Sequence, residues 1–409
     1  MISQKLNDQI TRIGPQTAAG AVLRRYWQPA ALADELRASN GAVPVNLLGE
    51  RLALVRDASG DLVLATRVSS PDEPPAHYPD PQSIELVEGG PVYPVVEKKG
   101  MVFTYMGPGT PPAFPNFDCF RAPDSHVFAF KGLWECNWLQ ALEVGIDPAH
   151  ASFLHRFLQD EDPSDGYGRQ FRDKAAHTDM PMTQVLREYP RPDIEVEQTD
   201  FGLKITALRH MANDLTHVRV TNQIFPQAIC IPMSREMIIT QWHVPIDDEN
   251  CYWYTMFTSF AKPVDKDVMR EQRLKEHRLP DYAPLKSRAN NYHYNPDEQE
   301  SLTYTGMGLD INVHDQWAVE GLGPIQDRTR EHLGRGDAAI VRYRQMLRKA
   351  IKAVESGEED MLPMRGGADV GRIVGPLSND AIASTHDWKQ ASFLTDMQRR
   401  AECPWDASV

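Results

Sequence analysis

The chain has little cysteine, and what it has is scattered. Cys119, Cys136, Cys230, Cys251 and Cys403 are odd in number, so they cannot all pair, and neither C-x-x-C nor C-x-H occurs in the 409 residues. That excludes a zinc or iron–sulfur cradle of ordinary spacing and argues against a disulfide framework. No apolar run approaches the roughly 20 residues that span a bilayer. Positive charge is also short: 43 Lys and Arg against 57 Asp and Glu leave a net charge of −14. Nucleic acid and anionic membrane are therefore poor partners, although a pocket can differ in sign from the surface around it. The stretch MISQKLNDQITRIG has no basic start followed by an apolar run. No secretory signal is expected from it, and a reducing cytoplasm is the expected compartment.

What is present suits a soluble globular protein, with 41% apolar and 24% charged residues. The length makes two domains the natural expectation. In the first part, VNLLGERLALVRDASGDLVLAT reads as two strands around the turn-rich Asp57–Asp61. PVYPVVEKKGMVFTYMG reads as a hairpin turning at Lys98–Gly100. The proline-rich TRVSSPDEPPAHYPDPQ between them is expected to be an extended surface connection. Beyond GPGTPPAFPNF the pattern is α+β. A helical region carries Trp138, Leu139, Leu142, Val144 and Ile146. Four strand-like runs follow in order, FGLKITALRH, HVRVTNQIFP, MIITQWHVPI and CYWYTMFTSF, as in an antiparallel meander. A long helix is expected to start near Asp337, to place Ile340, Tyr343, Leu347, Ile351 and Val354 on one face, and to stop at Gly357.

The chemistry concentrates in NWLQALEVGIDPAHASFLHRF. Asp147 and His150 stand three apart and share a helix face. His150 and His155 stand five apart, which on a regular helix is a rotation of about 140°. Two ligands so placed converge on one ion only if the helix is irregular. Gly145 and Pro148 both disfavour a continuous helix, so a break or bulge is expected over residues 145–150, and Asp147-Pro148 reads as a cap and first helical residue. H-x4-H alone is a weak metal signal in a chain with thirteen histidines. His210, His217, His243, His277, His293 and His332 have no ligand-like spacing and read as structural or exposed. Spacing does not find a third ligand.

Taken together, the separated motifs resemble the catalytic subunit of the Rieske-type non-haem iron oxygenases, in the phthalate-dioxygenase-like branch. GPQTAAGAVLRRYWQPAALADEL resembles that family's opening, Asn137-Trp138 with Asp147-x2-His150-x4-His155 its iron-binding helix, and HDQWAVEGLGPIQDRTREHLGRGD, with Asp315, the segment of its third ligand. The resemblance implies a reduced Rieske-like β-domain over residues 1–130 and a helix-grip catalytic domain over 131–409, an antiparallel sheet wrapped around long helices. It implies Fe(II) held by His150, His155 and Asp315, a type of site with open positions for O2 chemistry. Asp147 would be the carboxylate bridging electrons between subunits, and Glu143 would line the same polar channel. The family also carries C-x-H and C-x2-H motifs that hold a [2Fe–2S] cluster. Here LVLA runs straight into TRVSSPDEPP and His77 stands alone, so no [2Fe–2S] cluster is expected in this chain.

The resulting expectation is an oxygenase subunit without its own Rieske cluster. It would use mononuclear Fe(II) and O2 for hydroxylation, dihydroxylation or oxidative demethylation of a small aromatic-type substrate. Electrons would come from a Rieske-bearing oxygenase subunit or a reductase, in a trimer-based hetero-oligomer. A non-catalytic structural subunit of a mixed oligomer is the alternative, and a helix-grip ligand-binding protein without iron a third. The runs CYWYTMFTSF and MIITQWHVPI are expected to divide between pocket lining and ordinary core. Arg209 and Arg219 stand on expected strands, where they read as surface charges rather than as partners for a carboxylate substrate.

Overall fold

The computed structural model describes residues 1–39, 41–74, 76–159, 180–365 and 370–409. Helices α1 (Gln4–Thr11) and α2 (Ala18–Leu23) lead into β1 (Gln28–Leu32), α3 (Ala33–Ala38), β2 (Ala42–Leu47), β3 (Glu50–Arg56), β4 (Leu62–Thr66), β5 (Val92–Lys98) and β6 (Met101–Thr104). These strands form a six-stranded antiparallel sheet in the order β1-β6-β5-β4-β3-β2. The stretch expected to hold two strands holds three. Leu48 and Gly49 both take positive φ (52° and 79°), the geometry of a tight hairpin turn, so VNL and ERLALVR pair with each other. Lys99 and Gly100 make the second hairpin turn in the same way, with φ of 54° and 82°.

The second part contains α4 (Asp118–Arg121), β7 (Val127–Trp134), α5 (Trp138–Ile146), α6 (Ala151–Leu154), α7 (Met182–Glu188), β8 (Asp193–Gln198), β9 (Gly202–Met211), β10 (Leu215–Ile224), β11 (Ala228–Pro232), β12 (Met237–Pro245) and β13 (Cys251–Ser259). It continues with α8 (Lys266–Leu274), α9 (Pro296–Ser301), α10 (Ile311–Glu320), α11 (Ala338–Glu355), β14 (Asn379–Ser384) and α12 (Trp388–Ala401). Its antiparallel sheet runs β7-β13-β12-β11-β10-β9-β8, with β14 paired to β10 beside β11. The expected meander is present and is longer than expected: β7 and β8 extend both ends, and the short β11 stands between β10 and β12. The chain is thus α+β. The boundary expected after residue 130 falls inside β7, so the change from one sheet to the other lies between Thr104 and Val127.

Helices α5 and α11 pack on one side of the larger sheet, α5 against β10–β12 and α11 against β8 and β9. Tyr343, Leu347 and Ile351 of α11 are buried as their spacing requires, and the helix stops before Gly357, where φ is +73°. One continuous apolar core joins both sheets, from Ile10 and Leu54 through Phe103 to Trp138, Trp253 and Leu347. Backbone bonds also cross between them: Leu48 N–H to the Pro245 carbonyl (2.9 Å) and Gly49 N–H to that of Ile246 (2.8 Å). No helix among the described residues is long and apolar enough to cross a membrane.

Candidate metal centre

The start of α5 is fixed by Asn137. Its side chain accepts the Leu139 N–H (3.1 Å) and donates to the carbonyls of Thr11 (3.1 Å) and Asp248 (2.7 Å). Trp138 is fully buried, and its indole N–H reaches the Thr11 carbonyl at 3.1 Å. The helix ends at Ile146, because Pro148 has no N–H to continue the ladder. Asp147 leaves the helical region (φ −91°, ψ 102°), and its carboxylate accepts the Ala149 N–H at 2.8 Å. The chain then makes the single turn α6 between the two histidines. The break expected over 145–150 is therefore there, and it removes the 140° problem. His155 lies past the end of α6 at φ −99°, ψ 25°, and its ring faces that of His150.

The Nε2 atoms of His150 and His155 are 3.2 Å apart. Asp315, on α10, brings Oδ1 to 3.6 Å from His150 Nε2 and 3.3 Å from His155 Nε2. Helix α10 is held in place by Asp310, which caps Asn312 N–H at 2.8 Å and pairs with the buried Arg273 at 2.5 Å. A cation about 2.1 Å from each donor would subtend angles of roughly 100–120°, as three ligands on one side of an ion do. Asp315 Oδ1 is buried and accepts no hydrogen bond. Burial pushes this carboxyl up to about 7, as expected for a negative charge lacking a local cation. The residues fit a divalent transition metal. Among the described residues they are the one such group of His, Cys, Asp or Glu donors.

His150 Nδ1 is hydrogen-bonded to the main-chain carbonyl of Asp147. This places the proton on Nδ1 and turns the Nε2 lone pair toward the site. The partly buried carboxylate of Asp147, its pKa raised by burial, accepts from Ala149 instead, as the cap that Asp147-Pro148 suggests. Glu143 does not line the cavity beside the histidines. It lies between two buried guanidinium groups, Arg328 at 2.8 Å and Arg344 at 2.6 Å, and Arg344 also pairs with Glu331 at 2.6 Å.

The three donors border a cavity of about 140 Å³. Trp134, Val144, Leu186, Ile231, Ile239 and Phe257 supply most of its apolar wall. Alternate residues of β12 (Ile239, Gln241, His243) and of β10 (Arg219, Thr221) face into it, as the two-residue period of a strand dictates. Neither arginine singled out in the sequence is a surface charge. Arg209 is 1% exposed and holds the segment that carries His150 and His155, donating to the Pro148 carbonyl (3.2 Å) and Ser152 Oγ (3.1 Å). Arg219 borders the cavity, paired to Asp380 at 2.7 Å. Of the six histidines set aside, His210, His293 and His332 are exposed, and His217 and His277 are buried without lining the cavity. His243 does line it, and no spacing in the sequence marks it.

Residues 104–401 match the family described as LigXa C-terminal domain like. The chain belongs to that family, within the ring-hydroxylating oxygenase alpha subunits. It is 26% identical to the tert-butanol monooxygenase / tert-amyl alcohol desaturase oxygenase subunit of Aquincola tertiaricarbonis, over 92% of this chain and 82% of that protein. It is 27% identical to the phthalate 4,5-dioxygenase oxygenase subunit of Pseudomonas putida, over 88% of each. Among solved structures it is similar to the oxygenase–ferredoxin complex of carbazole 1,9a-dioxygenase (TM-score 0.44, 19% identity, 84% of this chain and 93% of that one).

Proposed function

We propose that this chain is an oxygenase subunit in which His150, His155 and Asp315 hold one Fe(II). The observation that carries the reading is the convergence of their donor atoms, 3.2–3.6 Å apart, at the wall of a largely apolar cavity in a chain of this family. Two imidazoles and one carboxylate leave coordination positions free, so bound Fe(II) would supply O2 activation beside the substrate. The chain's own residues do the rest. The Asp147 carbonyl sets the His150 tautomer, Arg209 pins the turn that carries both histidines, and Trp134, Ile239 and Phe257 keep bulk water from the cavity. Hydroxylation, dihydroxylation and oxidative demethylation all fit. One relative is named for tert-butanol and another for phthalate, a neutral alcohol and an aromatic carboxylate.

Inserting one oxygen atom and reducing the other to water consumes two electrons and two protons. Cysteine is absent before residue 119, so the six-stranded sheet reads as a Rieske-like remnant without a [2Fe–2S] cluster, and the larger sheet with its helices as the helix-grip domain. Electrons then come from a Rieske-bearing subunit or a reductase in a trimer-based hetero-oligomer. Asp147 is suited to the contact: its carboxylate is partly exposed, and its own carbonyl bonds the ligand His150.

Metal analysis is the primary test. The purified chain should take up one Fe(II), and His150→Ala should abolish uptake. A wild-type chain that binds no iron would end this reading. Asp147→Asn keeps the carbonyl on His150, so iron content should hold while turnover in the assembled complex falls at least about a hundredfold; full turnover would refute the electron path. The alternative, a non-catalytic subunit, is distinguished by His150→Ala in that complex, where unaltered turnover would show that this chain's iron is not used.

A further inference from the structure

His243 is 1% exposed, stands on the cavity wall, and has no hydrogen-bond partner among the described residues for Nδ1 or Nε2. Its one close ring neighbour, Trp134 at 5.3 Å, offers no acceptor. A buried imidazole with both nitrogens unmet is costly in an empty cavity, and such groups in native proteins ordinarily have a partner. Burial pushes its pKa down to about 3, so it stays neutral, with one donor and one acceptor.

Each guanidinium group on the cavity wall already has a carboxylate partner. Arg219 bonds Asp380 at 2.7 Å and the Pro232 carbonyl at 2.6 Å, and Arg273 bonds Asp310 at 2.5 Å. A substrate carboxylate entering here would have to share a guanidinium group whose charge a buried aspartate already neutralises. One buried cation would then face two buried anions, an excess of negative charge held out of water. The volume of about 140 Å³ is close to that of the roughly 150 Å³ engineered cavity that binds benzene, which is room for one ring.

We infer that His243 is the hydrogen-bonding anchor of the substrate, and that the substrate is an uncharged one-ring compound bearing a hydroxyl, carbonyl or ether oxygen, not an aromatic carboxylate. This rests on the cavity being the substrate chamber of the proposed iron site.

Three probes that differ in one substituent test it: phenol, toluene and benzoate, titrated calorimetrically against the iron-loaded chain at neutral pH. Phenol should bind at least about tenfold tighter than toluene or benzoate. In His243→Phe, which keeps an aromatic ring but has no polar atom, phenol should lose its advantage over toluene measured in the same variant. His243→Gln, which keeps a donor and an acceptor, should restore part of the preference. Benzoate binding as tightly as phenol, phenol binding unchanged in His243→Phe, or no binding by any probe would each overturn the inference. Iron content is measured on the same samples. Absence of iron sinks the proposed function, while the ranking of probes on the apo chain still reports whether His243 selects a neutral oxygen.

Discussion

Glu143 shows how little a sequence says of a buried carboxylate's partners. One turn before Asp147, it was expected by resemblance to line the polar channel of that residue; in the structure it lies between Arg328 and Arg344. Burial by itself would raise its pKa, but the two guanidinium groups overcome that and hold it below the usual carboxylate value. The sign for stability follows. A carboxylate depressed on folding stabilises fully above its unfolded value of about 4.5, and that contribution is lost as pH falls through the lower folded value. Glu143→Ala leaves the buried Arg328 without a carboxylate and Arg344 with Glu331 alone, and should cost about 3–5 kcal/mol in denaturant unfolding. Glu143→Gln should flatten the loss of stability below pH 4.5. Iron content per folded molecule should be unchanged in both, and iron loss without destabilisation would instead put Glu143 in the metal site. His150 and His155 lie in one short segment, where spacing marks them only weakly as a pair. Asp315 stands 160 residues on and was reached only by resemblance. His243 was not legible at all, since an alternating strand does not say which face meets a cavity.

Among the elements, the interrupted helix α5–α6 decides whether the site exists. Its break was readable from Gly145, Pro148 and the five-residue spacing, because each violates helix geometry locally. What holds the broken segment was not readable, because it comes from β9: Arg209, pushed down to about 10 by burial but still charged at neutral pH, reaches Pro148 and Ser152. Groups that orient metal ligands from behind typically matter about 10–100-fold in metal affinity. Arg209→Met, similar in size but with no donors, should weaken Fe(II) binding by about tenfold or more in a chelator competition. Far-UV circular dichroism should be unaltered. Wild-type affinity in that variant would mean that the turn is rigid without Arg209. The same limit explains the strands that were missed. The charged β8 and the small-residue β14 carry weak patterns of their own, and each owes its place to β9 or β10.

For the molecule as a whole, the two-part reading captured the sheets but not their union. Hairpins and meander are local and showed in the sequence. The single core, and bonds such as Tyr254 hydroxyl to the Ala30 carbonyl at 2.8 Å, join residues more than 200 positions apart and left no local trace. Lys131 of β7 likewise reaches Glu35 of α3 at 2.8 Å, both almost fully buried. Two sheets that share one core and buried polar bonds should not melt independently. Calorimetry of the full chain should therefore show one transition, with calorimetric and van't Hoff enthalpies in agreement. Tyr254→Phe leaves the Ala30 carbonyl buried without its donor, a cost of about 1–3 kcal/mol, which in a chain of this length is a shift of roughly 1–4 °C. That shift should move the whole transition. If the variant instead split the melt into two, the six-stranded sheet would be a separate folding unit that merely rests on the larger one, and the shared core would not couple them.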